Sequence, residues 1–263
     1  SLDVSANTAL TELQANDNPD LTCIYVGDNV IGATNLDDNQ FLSDIPCADV
    51  AFQPASKSEL QTAVNLWVDD NANALANYGE INTWDVSMIT DMSQLFFGKS
   101  NFNENIINWD VSNVIDMHAM FFEASSFTGD LSSWDVSKVT NMRDMFMRAH
   151  QFSADLSNWD VSQVVEMIQM FRDAPNFNAD ISNWDVSSAT EVWSMFRYAS
   201  IFNQDLSSWN ISNVTDMTSV FEGTSLSDEN KCNIQLSWSS NAAWPYDWSE
   251  FCPPSIQDNY SLR

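Results

Sequence analysis

Positive charge is scarce in this sequence. Its 263 residues hold 9 Lys+Arg against 37 Asp+Glu, for a formal net charge of -28. That balance argues against a nucleic-acid partner, since phosphate binding needs clustered Lys and Arg. An anionic membrane surface is disfavoured for the same reason. A cation or a basic partner protein stays compatible with it. Glycine is also scarce: six in the whole chain leave no phosphate-cradling loop. The two histidines, His118 and His150, have no Gly-x-Ser-x-Gly or Cys/His motif beside them, so no nucleophilic triad is expected. With these absences goes the expectation that the chain is not an enzyme. No apolar run approaches the ~20 residues of a membrane span. The opening Ser1-Leu2-Asp3 lacks Met and a basic n-region, as expected of a mature or trimmed chain.

Cysteine is limited to Cys23, Cys47, Cys232 and Cys252, one pair near each end. No short Cys-x2-4-Cys spacing suggests structural zinc. Two disulfides, Cys23–Cys47 and Cys232–Cys252, are the expectation, which implies an oxidising compartment. The second would close a small loop and stabilise by roughly 3 kcal/mol. Disorder is not indicated despite the acidity, because 44% of residues are hydrophobic and 12% aromatic.

What the sequence has in abundance is repetition. Trp84, Trp109, Trp134, Trp159, Trp184 and Trp209 recur every 25 residues without an insertion. Phe96 to Phe221 and Phe102 to Phe202 keep the same period, and Met92 to Met217 do so with Val192 as the exception. A fixed period of this size signals a stacked array whose units bury one continuous core. In Leu131-Ser-Ser-Trp134-Asp-Val136-Ser137, Trp134 and Val136 alternate with Asp135 as on a short strand. The apolar residues of Val139-Thr-Asn-Met142-Arg-Asp-Met145-Phe146 come at helical spacings. The expected fold is therefore an α/β repeat solenoid, leucine-rich-repeat-like. It would have six repeats over 81–226, each with one short parallel strand and short helical turns.

Both ends are expected to be capped. Ser56-Lys-Ser-Glu59 is a capping-box pattern, and Leu60, Val64, Trp67, Leu75 and Tyr78 follow on roughly one helical face before Gly79. Residues 56–80 are thus expected to form an N-terminal helical cap, and 227–263 a C-terminal cap. Residues 1–26 look like a remnant of a shorter leucine-rich repeat, and 27–55 a disulfide-stapled loop or linker.

The repeat Asp-Leu-Ser-Ser-Trp-Asp-Val-Ser-x-Val-Thr-x-Met-x-x-Met-Phe resembles the BspA-like leucine-rich repeat of bacterial surface proteins, also called the mycoplasma-lipoprotein repeat. The resemblance covers about 81 to 226. Glu59-Leu-Gln-Thr-Ala-Val-Asn-Leu-Trp67 and Trp244-Pro-Tyr-Asp-Trp248 resemble flanks of such repeats. The opening Leu-Asp-Val-Ser-x-Asn-Thr-Ala-Leu is similar to secreted leucine-rich repeats of marine Bacteroidetes-type bacteria. Members are mostly secreted or surface-exposed, and some bind host proteins or other cells. The resemblance thus implies an extracellular or cell-surface bacterial protein.

Three acidic rows carry the candidate chemistry. Asp85, Asp110, Asp135, Asp160 and Asp185 follow the repeat Trp, with Asn210 last. Stacked on neighbouring strands, such charges repel by about 1 kcal/mol even in water. The first reading is local hydrogen bonding, because each has Ser two residues on. The second is Ca2+ at Asp110, Asp135 and Asp160, although no EF-hand or RTX-type loop is present. Otherwise no cofactor is expected. Asp130, Asp155, Asp180 and Asp205 suit turn capping. Asp91, Asp116, Asn141, Glu166, Glu191 and Asp216 would complement a helix dipole.

The expected partner-binding strand face comprises Ser133, Asp135, Asn158, Asp160, Asn183 and Asp185. The Trp and Met ladders read as core. Trp244, Tyr246 and Trp248 either cover the last repeat or present rings to a glycan or protein. Lys99, Arg143, Arg148, Arg172 and Arg197, on the other side, read as solvated charges. The expected function is a secreted or surface binding or adhesion module for a protein or cell-surface partner. The alternatives are a structural subunit of a surface filament or secretion assembly, and a Ca2+-dependent or glycan-binding module.

Overall fold

The computed structural model describes residues 51–253 and, before them, the backbone of five short strands. The chain divides into two compact units, Ser1–Phe52 and Gln53–Arg263. In the first unit β1 (Leu2–Asp3), β3 (Cys23–Tyr25) and β5 (Phe41–Ser43) pair in parallel. β2 (Glu12–Gln14) and β4 (Gly32–Thr34) form a second parallel pair. β4 and β5 fall within 27–55, the stretch read from sequence as loop.

The second unit corrects the expected fold class. No residue of 81–226 lies in an extended strand, and apart from one 3-10 turn at Ile81–Thr83 none is helical. Parallel pairing shrinks to single-residue bridges: Asp91 to Asp116, then on through Asn141, Glu166 and Glu191 to Asp216. Each 25-residue coil is instead a run of turns. We number the coils 1 to 6 from Ile81, Ile106, Leu131, Leu156, Ile181 and Leu206.

Coil 3 shows why the strand fails. Trp134 N–H bonds back to the Leu131 carbonyl (3.1 Å) and Val139 N–H to that of Val136 (2.9 Å). Asp130 accepts from Ser132 N–H (2.9 Å) and Asp135 from Ser137 N–H (3.0 Å). Side chains thus capture N–H groups that a strand would offer to its neighbour. An apolar residue every second or third position is then brought inward by turns rather than by a pleat.

The stretch that looked helical is the parallel ladder itself. The N–H groups of Met142, Asp144, Phe146 and Arg148 donate to the next coil's Glu166, Ile168, Met170 and Arg172 at 2.8–2.9 Å. Between them, Met145, Met147 and Ala149 donate three residues back within the coil at 3.1–3.2 Å. Asp144 and Arg148 have φ of 57° and 59°, and residues at these two positions are left-handed in every coil. A non-glycine residue there costs on the order of 1 kcal/mol. The bond from each to the next coil offsets that cost in coils 1 to 5. An apolar spacing of three fits such turns as well as a helix. The third acidic row accordingly meets no helix dipole. Asp91, Asp116, Asn141 and Asp216 instead accept the N–H two residues on, at 2.8–3.0 Å.

The core follows the period. Phe96, Phe121, Phe146, Phe171, Phe196 and Phe221 stack with ring centroids 5.2–5.8 Å apart. Phe102 to Phe202 form a second stack at 5.9–6.2 Å. Offset ring stacking adds to the burial of each ring. Each Trp from 109 to 209 donates its buried Nε1–H to a carbonyl 28 residues earlier at 2.8–3.2 Å.

Helices close both ends. α1 (Lys57–Asp69) starts at Ser56, whose side chain accepts from Glu59 N–H, while the Glu59 carboxylate accepts from Ala55 N–H. α2 (Asn71–Tyr78) ends at Gly79 with φ 69°. Trp67 and Tyr78 pack edge-on against Trp84. α3 (Asp228–Trp238) continues the Trp column, with Trp238 stacked 6.1 Å from Trp209. The Cys232–Cys252 disulfide ties α3 to the turn at Ser249–Phe251. Cys47 and its expected bond to Cys23 lie outside the described residues. One rung of the ladder is sealed at both ends. Gln61 donates to the Leu95 carbonyl (2.9 Å), and Tyr246 OH accepts from Phe221 N–H (3.1 Å).

Candidate functional site

The six expected partner-binding residues, Ser133, Asp135, Asn158, Asp160, Asn183 and Asp185, are all exposed and lie on one flank. The flank is a stack of turn corners, and the expected strand face does not exist. Asp85, Asp110, Asp135, Asp160, Asp185 and Asn210 each accept the N–H of the Ser two residues on at 3.0–3.2 Å. Asp130, Asp155, Asp180 and Asp205 make the same bond at 2.9–3.0 Å. Ser133 and Asn183 donate to the preceding coil, to the Ile107 (3.0 Å) and Ser157 (2.8 Å) carbonyls. Part of the candidate set therefore also holds coil to coil.

These bonds favour the ionised carboxylates. The Ser137 hydroxyl, then its N–H, hold Asp135 below its ordinary 3.8, and Ser187 does the same for Asp185. Backbone N–H groups of Ser132 and Ser157, then their hydroxyls, act likewise on Asp130 and Asp155. Hydrogen bonding to the charged form is the cause. It offsets the repulsion expected along the row. Among the described residues no group of three or more His, Cys, Asp or Glu side chains could hold a metal ion. Asp110, Asp135 and Asp160 do not converge on one.

A second flank is the outer side of the ladder, and it differs in kind. Its residues at 93, 94, 97 and 98 and every 25 residues on vary from coil to coil, and Ala119, Met147, Ile168, Gln169 and Ser194 among them are buried. These positions carry Arg143, Arg148, Arg172 and Arg197, each with an acidic neighbour on the same face. Arg148 meets Glu123 at 2.6 Å and Arg197 meets Glu222 at 3.0 Å, both across coils. Arg143 bonds Asp144 (3.3 Å). Arg172 Nε lies 3.3 Å from Asp173 but is misaligned for a hydrogen bond. Rings surface here too: Phe97, 48% exposed, stacks on Phe122, and Tyr198 is 43% exposed. A shallow polar groove of about 650 Å³ runs beside this face, between Glu123, Arg148 and Asp173 on one side and Ser100, Ser125 and His150 on the other. The reading of these Arg residues as solvated charges missed the pairing. Opposite charges 25 residues apart, Glu123/Arg148 and Arg197/Glu222, were the available signal.

Trp244, Tyr246 and Trp248 are half-buried and lie against the last coil. Trp244 packs edge-on against Trp238, and Tyr246 stacks on Trp248 at 4.7 Å. Gln235 Oε1 accepts both the Trp244 indole N–H (2.9 Å) and the Trp248 backbone N–H (3.1 Å). Burial pushes the Tyr246 hydroxyl pKa up. The arrangement secures the end of the stack.

A family model described as a Mycoplasma protein of unknown function, DUF285, matches residues 68–167 and 131–234. Together these matches span well over half of the chain. The chain belongs to this family. The family region starts inside α1, takes in the six coils and ends inside α3. Parts of both helical ends thus belong to the family region along with the coils. No curated protein and no solved structure matches the chain.

Proposed function

We propose that the stack is a binding module, displayed at a bacterial cell surface or secreted, whose acidic corner flank receives a basic region of a partner protein. The observation that carries this reading is the corner comb. Asp110, Asp135, Asp160 and Asp185 are exposed and repeat at one position of successive coils, each held by its own turn. A rigid row of oriented carboxylates loses little side-chain entropy on binding and steers a cationic surface toward it. Such recognition requires no reaction, and the residues of the flank suit contact rather than proton or group transfer. The Cys232–Cys252 disulfide and the Mycoplasma-type family are compatible with a surface or extracellular location. No described helix is long and apolar enough to cross a membrane, so attachment through one is not part of the proposal. End-to-end growth through the ladder would have to displace Gln61 or Tyr246 from the rung that each seals.

The test replaces Asp135, Asp160 and Asp185 with Lys. A control replaces Glu104, Glu229 and Glu250 with Lys, which gives the same net charge. Retention on intact cells of the source organism is measured for parent, triple variant and control. The comb variant is expected to lose retention by at least tenfold while the control keeps it. Equal loss in both would mean that only total charge matters, and the corner site would be wrong.

A further inference from the structure

Coil 6 has no coil after it, and its corner keeps acceptors that earlier corners fill. The carbonyls of Thr90, Ile115, Thr140, Val165 and Thr190 each accept the N–H of the residue 25 further on, at 2.8–3.0 Å. Beside this joint, the carbonyls of Ser87, Ser162 and Ser187 accept a side chain of the next coil. The donors are Asn113 Nδ2 (3.0 Å), Ser188 Oγ (2.6 Å) and Asn213 Nδ2 (2.7 Å). A third set of carbonyls, at Ile107, Ser157 and Ser182, takes Ser133, Asn183 and Ser208 in the same way. The C-terminal cap reproduces only this third set. Ser237 Oγ donates to the Ser207 carbonyl (2.6 Å), as a seventh coil would. Among the described residues nothing donates to the carbonyls of Thr215 and Ser212, the coil 6 members of the first two sets.

Both residues are exposed, and both line a groove of about 780 Å³ between coil 6 and the cap. Asn241 fixes the cap wall by donating to the Ile211 (2.7 Å) and Val214 (3.1 Å) carbonyls. No residue lining the groove is charged, and Asn210 stands there where five coils have Asp. The neighbouring carboxylates of Asp185 and Asp216 are held by the N–H groups of Ser187 and Thr218. The groove therefore suits a neutral ligand with two donors at a fixed separation. The earlier joints show which donors fit: a main-chain N–H and, two residues ahead of it, an Asn or Ser side chain. A whole coil cannot enter, because Trp238 of α3 covers Trp209 at the core end. A single extended segment can.

We propose that this groove binds an uncharged, extended peptide segment of a partner protein, seated where the outer part of a seventh corner would lie. The segment carries Asn or Ser two residues ahead of a β-branched residue, whose N–H donates to the Thr215 carbonyl while the Asn or Ser donates to that of Ser212. Recognition through an open backbone edge is the mode of strand addition. It uses no carboxylate, so it stands independently of the acidic corner site.

The test uses the end-blocked hexapeptide Asn-Ile-Ser-Asn-Val-Thr, the sequence of 210–215. Within the chain this segment already makes both bonds to coil 5, from Asn213 and from Thr215 N–H. The peptide is titrated to about 5 mM into the isotope-labelled full chain, and backbone amide shifts are followed by NMR. Saturable shifts around Ser212, Thr215 and Ala242 are expected, with a dissociation constant of roughly 0.1–1 mM. An N-methyl group on the peptide's Thr removes the N–H of the joint and should weaken binding at least tenfold. Ala242→Trp fills the groove and should abolish the shifts. Absence of saturable shifts, shifts spread equally over all six corners, or equal binding of the N-methyl peptide would each overturn the proposal. So would undiminished binding to a folded Ala242→Trp chain. If that variant does not fold, the N-methyl comparison decides alone.

Discussion

The corner flank and the ladder flank are made by the same six coils, yet one is uniform and acidic while the other is varied and carries both signs of charge. The difference lies in what each position must do for the backbone. A corner needs a short side chain that accepts its own N–H two residues on, so Asp, or Asn once, fills it coil after coil. The ladder positions draw their order from backbone bonds to the next coil, which do not depend on the side chain except at proline. Gln94, Ala119, Asp144, Gln169, Ser194 and Ser219 share one left-handed position with φ between 52° and 61°. Backbone bonding leaves the outward side chains free to differ. Uniformity suits a partner with many similar cations.

The comparison can be broken most severely from beneath. Phe146→Ala removes a ring stacked on both Phe121 and Phe171 under the ladder. A loss of about 3–5 kcal/mol is expected by denaturant titration, since a buried Phe leaves both lost transfer energy and a cavity. A loss below about 1 kcal/mol would mean that the coils are held by the flanks and not by the core. Next comes the C-terminal end. Cys232→Ser with Cys252→Ser should cost roughly 3 kcal/mol. Proteolysis should then begin in the last coil and α3, leaving coils 1 to 3 protected.

A corner is expected to matter less. Asp135→Ala removes the carboxylate that accepts from the Ser137 hydroxyl and N–H and should cost about 1 kcal/mol, part of it returned by relief of repulsion along the row. Its dependence on pH has a definite sign. Asp135 titrates below its ordinary 3.8 in the folded chain, so its contribution is fully present above about pH 5. It fades as the pH falls through the folded-state value. Melting temperatures of parent and variant should therefore differ at pH 6 and converge below pH 3. A gap that widens in acid would contradict the turn bond. The smallest effect belongs to the ladder surface. Arg148→Ala breaks an exposed pair with Glu123 and should change stability by about 0.2–1 kcal/mol, diminishing with salt.

Particular residues show how far the sequence could be read. The start of α1 is written in Ser56-x-x-Glu59, because capping is local and depends on side chains three apart. The Phe and Trp columns are likewise written in the period, since equal residues 25 apart stack when coils superpose. The corner bonds of Asp135 and Asp160 are also local, two residues long. The strand at Leu131–Val136 and the helical turns at Val139–Phe146 were misread. Spacings of two and three do not distinguish pleat or helix from successive turns. The partner of each N–H separates them, and for Met142 or Phe146 it lies in the next coil.

Sequence alone therefore determined the length of the repeat, the inward residues, the acidic corners and the caps' first turns, all of which rest on periodicity or on contacts a few residues long. Tertiary structure decided that the units are turn coils joined by a ladder, that Arg143, Arg148, Arg172 and Arg197 gather on one flank beside acidic partners, and that Gln61 and Tyr246 seal the same rung at opposite ends. Those outcomes depend on which backbone groups meet across 24 or more residues, and it is stacking that brings them together.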